Sequence, residues 1–565
     1  MPKNPYALAV EAVKTAILGA YDEAVVRREL PAGAPENFDI SEPKEKSHGD
    51  LAANFAMVWA KALKLNPRKV AEIIVAGIEK GDYIEKIDIA GPGFVNIALT
   101  PKWYGDTLLA IDEAKADYGK SDYGKGKRVQ VEFVSANPTG PMHLGNARGG
   151  VLGDVLSSIF QWTGFYCERE FYLNDTGNQV DLLGRSMEAR FFEILGEAEK
   201  CPLPEDGYHG EDVKENAKAY IDEFGTGIKD EPEDKRRETL RDFALDRNIT
   251  RMKEDLARYR IFHDVWFKES SLYDEGGAVD IAQKEMEKNG ALYEKDGAMW
   301  FAATKFSAEK DDVLKKSSGF YTYYMGDIAY HYNKFVTRDF DTVVDIWGAD
   351  HHGHAIRFAS AMQAIGLEPD RLKFILMQLV RLVRGGEAVR MSKRTGKAVT
   401  LSDLLDEISV DAARFFFCSR QNDTQMEFDL DIAVKEDSDN PVYYVQYAHA
   451  RICSILRNLE AEGITPKPAC EVDFTKLTAP EELDLVRHLA KLPQELITAA
   501  DNLDPSRTTK YVMDTAATFH KFYNACRVRG DDRDITDARL KLCELTAQVL
   551  RNVLSIINIA CPDKM

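Results

Sequence analysis

The chain has 565 residues and a formal net charge of −20, with 44% hydrophobic and 29% charged residues. That length suits several domains rather than one, and no apolar run approaches the roughly 18 residues of a membrane helix. The charge excludes a purely electrostatic coat for nucleic acid. It leaves room for a local RNA-binding surface, because the stretch from Pro441 onward is near neutral, with 16 Lys and Arg against 17 Asp and Glu.

The amino terminus carries spaced charges and apolar residues at helical intervals, without the basic start, apolar centre and small-residue cleavage site of a secretory signal. The stretch VAEIIVAGIEKG reads as a helix, and IDIAGPGFVNIAL as a hairpin turning at Gly91-Pro92-Gly93. The polar segment DYGKSDYGKGKR reads as a linker. RVQVEFV then alternates like a buried strand, SANPTGP breaks it, and NARGGVLGDVLSSIFQWTGF reads as a helix. Strand, loop and helix in that order open an α/β nucleotide fold. From about Asp181 to Asp312 the charge-rich, helically periodic sequence reads as an insertion, after which the α/β pattern resumes through YTYYMGDIAYH, FDTVVDIWGADHHGH and FILMQLVRLVR. Beyond about Asp437 the chain reads as a helical bundle. Val445, Ala448, Ile452 and Leu456 share one face there, and Asp504-Pro505 starts a later helix. The eight cysteines are scattered without a CxxC pair. This suits a reducing cytosol and argues against a disulfide frame or a cysteine-ligated zinc.

Two stretches carry chemistry. In Ser135-Ala136-Asn137-Pro138-Thr139-Gly140-Pro141-Met142-His143-Leu144-Gly145-Asn146, a helix start offers unpaired N–H groups to phosphate. Gly145 leaves room for a nucleotide, and His143 can donate to a phosphate oxygen as charge builds on a leaving group. Taken alone, an HxG turn is better read as an ordinary strand-to-helix connection. The second stretch, Arg381 to Lys397, places six cations on a Gly-containing segment. Such a loop can close over a triphosphate, although a solvated basic loop explains it equally well.

Together the two resemble the paired signatures of class I aminoacyl-tRNA synthetases. His143-Leu144-Gly145-Asn146 resembles the HIGH motif and Arg390-Met391-Ser392-Lys393 the KMSK motif, with Asn146 replacing the second histidine and Arg390 the first lysine. Longer segments, VEFVSANPTGPMHLGNARGG, HGDLAANFAM, YTYYMGDIAYH, GEAVRMSKRTGKAVTL, YVQYAHARI and the ending CPDKM, are similar to bacterial arginyl-tRNA synthetases across nearly the whole chain. The inserted part around Cys201 to Asp234 matches least.

The resemblance implies an α/β protein. Its parts would be an α+β N-terminal domain that contacts the outer corner of tRNA (1–107), a Rossmann-type catalytic domain (124–437, insertion about 181–312) and an all-α anticodon-binding bundle (438–565). It implies arginine activation with Mg·ATP and transfer to the terminal adenosine of tRNA(Arg), with no protein-bound zinc, by a cytoplasmic enzyme that is a monomer and needs no membrane. His143, Asn146, Arg390 and Lys393 are the expected catalytic residues. Ala136, Pro138, Thr139, Gly140, Pro141, Met142, Leu144, Gly145, Asp350, Met391 and Ser392 are expected around ATP. Glu132, Ser135, Asn137, Tyr323 and Asp327 are expected around arginine, where carboxylates suit the planar donor fork of a guanidinium. Ala349 stands where some relatives carry a glutamine that touches the substrate amine. Gly348 to His354 tempts a zinc reading, but adjacent residues on a strand would point to opposite faces. Gly119 to Gly126 lacks the Ser or Thr of a P-loop, and Gly91-Pro92-Gly93 opens no helix. Among C-terminal residues, Tyr443, Tyr444, Tyr447 and His449 are candidates for stacking on anticodon bases. The rival readings are a tRNA-binding relative without catalysis, separated by ATP–pyrophosphate exchange, and a small-molecule adenylyltransferase, separated by tRNA dependence.

Overall fold

The computed structural model describes residues 2–34, 37–43, 45–389, 399–530 and 532–565. The chain starts with α1 (Pro5–Val26), capped by the Asn4 side chain, which accepts from Ala7 N–H. Strands β1 (Ile40–Ser41) and β2 (Leu51–Ala53), helices α2 (Phe55–Leu63) and α3 (Pro67–Gly77), and the hairpin β3 (Ile84–Ala90) to β4 (Phe94–Leu99) follow. The strands form an antiparallel sheet in the order β1-β2-β4-β3, and the hairpin turns at Gly91-Pro92-Gly93 as expected. Helix α4 (Pro101–Ala114) leads onward.

The supposed linker is not a free one. Tyr118 is fully buried and its hydroxyl donates to the Leu489 carbonyl at 3.0 Å, while Asn552 Nδ2 donates to the carbonyls of Lys115 and Tyr118. Its polar composition hides this, because one tyrosine supplies the anchoring.

The catalytic core is built from β5 (Arg128–Glu132), α5 (Leu144–Trp162) and β6 (Tyr166–Leu173). Helices α6 (Asn178–Ile194), α7 (Glu211–Phe224) and α8 (Glu233–Arg258) then pack around a small core of their own. Strand β7 (Val265–Lys268) lies inside the stretch read as insertion, yet pairs in parallel with β6 in the main sheet. After α9 (Ala278–Lys288), strands β8 (Leu292–Lys295), β9 (Ala298–Phe301) and β10 (Asp312–Lys315) make an antiparallel three-stranded sheet, so helical periodicity fails there too.

Next come α10 (Tyr323–Tyr332), β11 (Thr342–Gly348), α11 (His352–Ala364) and β12 (Leu372–Met377). The main sheet is all parallel with the order β12-β11-β5-β6-β7. Connections from β5 and β11 therefore run to opposite sides, which opens a crevice at their carboxyl ends, the place where such sheets bind ligands. Strands β13 (Val380–Arg384), β14 (Glu387–Ala388) and β15 (Met426–Asp429), with α12 (Leu401–Glu407), α13 (Val410–Cys418) and α14 (Leu430–Ala433), complete the α/β core.

The C-terminal part is all helical: α15 (Pro441–Ala461), α16 (Pro480–Ala490), α17 (Leu492–Asp501), α18 (Ser506–Ala525) and α19 (Arg533–Ile557). Pro505, expected in the first turn of α18, is instead its N-cap residue, and Asp504 just before it accepts from Ser506 N–H at 3.1 Å. The fold is thus the expected α/β catalytic core with an α+β amino-terminal part and a carboxy-terminal bundle. Among the described residues no helix is long and apolar enough to cross a membrane.

Candidate active site

The crevice begins where β5 ends. Glu132 is buried there, and the chain turns sharply through Val134 (φ 70°) and Ser135 (φ 38°), two successive non-glycine residues in the left-handed region. For a β-branched valine this conformation is strained, and it persists because neighbours hold it. Ser135 Oγ donates to Glu132 Oε1 at 2.9 Å and accepts from Tyr172 N–H at 3.0 Å. No sequence rule foretells this turn.

His143 caps α5. Its N–H donates to the Asn146 side-chain oxygen at 3.0 Å, so Asn146 fastens the helix start. Gly145 faces open space, with no atom within 4 Å of a would-be Cβ. Pro138 and Met142 are buried, and Leu144 packs against the core, so what these three can offer a ligand is limited to backbone. The Met142 carbonyl instead accepts from Leu401 N–H at 3.0 Å.

Arg390, Met391, Ser392 and Lys393 lie outside the described residues. The chain just after them is informative, because Thr400 forms an antiparallel bridge with His143. Lys393 precedes Thr400 by seven residues, a span of about 25 Å at most. Thr400, at the edge of the described residues, thus lies beside the start of α5.

A cavity of about 790 Å³ fills the crevice. One set of its lining residues is acidic and aromatic: Glu132, Tyr172, Glu269, Asp312, Tyr323 and Asp327. Another is flat and less charged: Gly145, Gly149, Trp347, Gly348, His351 and Met377. A neighbouring cavity of about 470 Å³ shares Ser135 and Asn146 with it and is lined by Ala136, Asn137, Thr139, Gly140, Pro141 and His143. Asn137, expected beside Glu132, sits in this second space, where its amide donates to Gln179 at 2.7 Å. Asp350 is on neither wall. Its side chain is 83% exposed and lies 3.7 Å from His351.

The spacing of Tyr323 and Asp327 on α10 does put both on the larger cavity. Asp327 pairs with His354, Nε2 to Oδ2 at 2.8 Å, and His354 stacks on Trp347. The zinc-like run is therefore a helix start rather than a strand, since residues from Ala349 onward turn into α11, and its last histidine serves a carboxylate.

Beneath the cavity lies a buried charge ladder. Lys334, fully buried in a π-helical turn (Asn333–Thr337), reaches Glu132 at 2.6 Å and Asp345 at 2.9 Å. His331 bridges the other Asp345 oxygen and the Asp327 carbonyl, both at 2.7 Å. Glu170 takes the Tyr330 hydroxyl and Arg338. Burial opposes ionisation of Asp345, but Lys334 and His331 outweigh it and hold the carboxyl down at about 2. Burial pushes the Glu132 carboxyl up despite Lys334. Glu132 is thus already paired within the protein, and Asp327 and Glu269 are further carboxylates on the cavity wall.

Glu269 went unnoticed in the sequence because it lies within the presumed insertion. Strand β7 delivers it to the cavity, where burial, then Asp327 and Asp175, push its carboxyl up to about 7. Such an acid becomes fully ionised when a cation joins it.

The arrangement can hold a cationic group beside a nucleotide. The chain matches the family described as "tRNA synthetases class I (R), catalytic domain" over residues 108–436, "Arginyl tRNA synthetase N terminal domain" over 11–99 and "DALR anticodon binding domain" over 445–565. It is 51% identical to the Arginine–tRNA ligase of Caldanaerobacter subterraneus subsp. tengcongensis, covering 99% of each chain. It is 48% identical to that of Acetivibrio thermocellus, covering 98% of each. The solved Thermus thermophilus arginyl-tRNA synthetase shares the fold, with a TM-score of 0.74 at 19% identity, covering 98% of this chain and 100% of that one. With a catalytic-family match over more than half its length and full-length relatives near half identity, the chain belongs to the arginyl-tRNA synthetases.

Proposed function

We propose that the larger cavity holds arginine and ATP side by side, and that His143 and Lys393 stabilise charge on the departing pyrophosphate. The chain is an arginine–tRNA ligase. The arginine carboxylate attacks the α-phosphorus of ATP, releasing pyrophosphate and leaving arginyl-adenylate; the terminal adenosine of tRNA(Arg) then attacks the activated carbonyl, releasing AMP. No protein nucleophile is required, so rate comes from alignment and charge stabilisation.

The observation that carries this reading is the His143–Thr400 bridge beside an acidic cavity. It supports the reading by setting Thr400, seven residues after Lys393 in the chain, beside the α5 start, with carboxylates lining the same crevice. Asp327 and Glu269 face the guanidinium and the amine of arginine, with Tyr323 as a wall. Glu132 and Ser135 shape the floor. Gly145, Trp347 and Gly348 flank the adenosine, and Asp350 stays at the rim. Asn146 acts by fixing His143. Mg²⁺ arrives with the triphosphate, and the enzyme works in the cytoplasm as a monomer.

Anticodon bases stack on the exposed side of α15. Tyr443 and Tyr447 rings lie parallel with centroids 6.4 Å apart, and Arg451 sits 5.0 Å from both Tyr447 and Tyr523. Aromatic and guanidinium planes of this kind suit unpaired bases. His449 does not share that role, being buried with Arg551 and the Pro562 carbonyl as partners.

Charging purified tRNA with each amino acid in turn tests the assignment: arginine alone should be esterified, and efficient charging with another amino acid would refute it. Lys393→Ala should slow adenylate formation more than about tenfold while arginine still binds, as measured in single-turnover assays. Normal turnover would remove Lys393 from phosphate chemistry.

Acidity offers another test. Glu269 takes up a proton as pH falls through about 7, so arginine KM should rise below that pH, and binding near neutrality should release protons. Folding stability of the empty enzyme has the opposite sign. The raised carboxyl contributes fully below its ordinary value of 4.5, and this contribution is lost as pH rises through about 7. Calorimetry in buffers of different ionisation enthalpy reads the proton release, and a pH-independent KM with no release would exclude Glu269 from the pocket.

A further inference from the structure

Asp327 is one end of a chain of polar side chains along the wall of the larger cavity. Its Oδ2 meets His354 Nε2 at 2.8 Å, His354 Nδ1 meets the Arg357 guanidinium at 3.3 Å, and Arg357 donates to Asp312 Oδ1 at 3.0 Å. The chain ties α10, which carries Asp327, to α11, which carries His354 and Arg357, and to β10, which starts at Asp312. Each member lines the larger cavity. The His354 ring is held by its neighbours, stacked on Trp347 with centroids 5.5 Å apart and edge-on to Phe358 at 5.1 Å. Arg357 lies over the Tyr324 ring at 5.3 Å, and its carbonyl accepts from the Tyr324 hydroxyl at 2.9 Å.

The order of donors along this chain fixes the proton. A guanidinium only donates, so the His354 nitrogen that faces it, Nδ1, offers a lone pair. The ring hydrogen then sits on Nε2 and is given to Asp327, which makes His354 a neutral imidazole. A second ring hydrogen would set N–H against N–H and one cation against another. Arg357 cannot turn to Asp327 itself while Asp312 holds it. Asp312 Oδ2 is buried without a hydrogen-bond partner among the described residues, so this carboxylate is committed to Arg357. Two carboxylates and one guanidinium leave the chain with one negative charge. Among the described residues no hydrogen bond engages Asp327 Oδ1.

Resting on the assignment of Asp327 to the substrate guanidinium, we infer that Arg357 and Asp312 are positioning residues for arginine, which deny His354 a second proton and so keep an internal cation off Asp327. The carboxylate is then oriented by a neutral donor and its charge is met by the substrate. Without Arg357, His354 takes up a proton and closes an ion pair with Asp327, which the incoming guanidinium must displace. An oriented anion awaiting its partner gains more from a ligand cation than one already paired.

Nitrogen NMR of the full-length enzyme with isotope-labelled histidine reads the proton directly, the His354 signals being assigned by their loss in His354→Gln. The unaltered enzyme should show a bare Nδ1 and a protonated Nε2, and Arg357→Met should show hydrogen on both. A double-mutant cycle in arginine KM reads the consequence. Arg357→Met should raise this KM about tenfold with His354 present, with ATP KM little changed, but less than about twofold in His354→Gln, whose amide can donate to Asp327 and cannot become a cation. Lost packing or a lost Asp312 pair would act equally in both backgrounds. Asp312→Asn keeps the shape and frees the guanidinium to turn toward Asp327; it should raise arginine KM too, and serves if Arg357→Met does not fold. Hydrogen on Nδ1 in the unaltered enzyme, equal effects of Arg357→Met in both backgrounds, or an unchanged KM in Asp312→Asn would each overturn the inference. A bare Nδ1 with effects confined to ATP KM would instead overturn the assignment of Asp327 to the guanidinium.

Discussion

Replacing Lys334 with methionine should destabilise the folded enzyme by about 3–5 kcal/mol, the usual result of stripping one partner from a buried ion pair. Lys334 is fully buried and is shared by Glu132 and Asp345 at 2.6 and 2.9 Å. Methionine fills a similar volume but leaves two interior carboxylates with less positive charge between them; His331 still serves Asp345, whereas among the described residues Glu132 keeps the Ser135 hydroxyl alone. Glu132 would take up a proton or swing out, and the strained Val134–Ser135 turn would lose its anchor. Urea titration should show the midpoint falling with an unchanged slope, and arginine KM should rise in the same variant. Adding Glu132→Gln should restore part of the stability, because the orphaned charge is then gone. A Lys334→Met protein as stable as its parent would mean that the ladder is not a shared ion pair in solution.

This lysine also shows where sequence reading stops. HYNKF looks like the tail of α10, and only the π-helical turn swings Lys334 under β5. The parts legible in sequence are those with local causes. The Gly91-Pro92-Gly93 hairpin, the β5–loop–α5 opening and the four-residue spacing of Tyr323 and Asp327 all follow from neighbours along the chain. Glu269 was lost because the four-residue strand β7 gains its place from parallel pairing with β6, nearly a hundred residues earlier, and charge-rich flanks mask it. Tyr118 hid in a stretch rich in Gly and Lys. The acidic set lining the larger cavity was legible by chemical type but not by pairing, since Glu132 reads as a free carboxylate until Lys334 is found against it.

That pairing makes Asp327 the sharpest test of the pocket. Asp327→Ala should lower kcat/KM for arginine by about 30-fold to several thousand-fold, the range expected when a charged hydrogen-bonding partner is removed from a largely desolvated site at about 2–5 kcal/mol. The loss should fall mainly on arginine KM and leave ATP KM nearly unchanged if, as proposed, the carboxylate faces the substrate cation and not the reacting phosphorus. Asp327→Asn separates charge from shape. It keeps an acceptor for His354, so a purely structural role would leave it close to normal. If the fork of N–H donors on arginine needs two anionic oxygens, Asn should be nearly as damaging as Ala. Citrulline, which replaces one guanidinium nitrogen with oxygen, adds a second readout. The unaltered site should reject it by about 10⁴ or more, since a carboxylate would then face an acceptor. In Asp327→Asn the amide can donate to that oxygen, and the discrimination should narrow by at least about tenfold. Unchanged arginine KM in both variants would place the guanidinium elsewhere in the cavity, with Glu269 as the remaining anion to receive it.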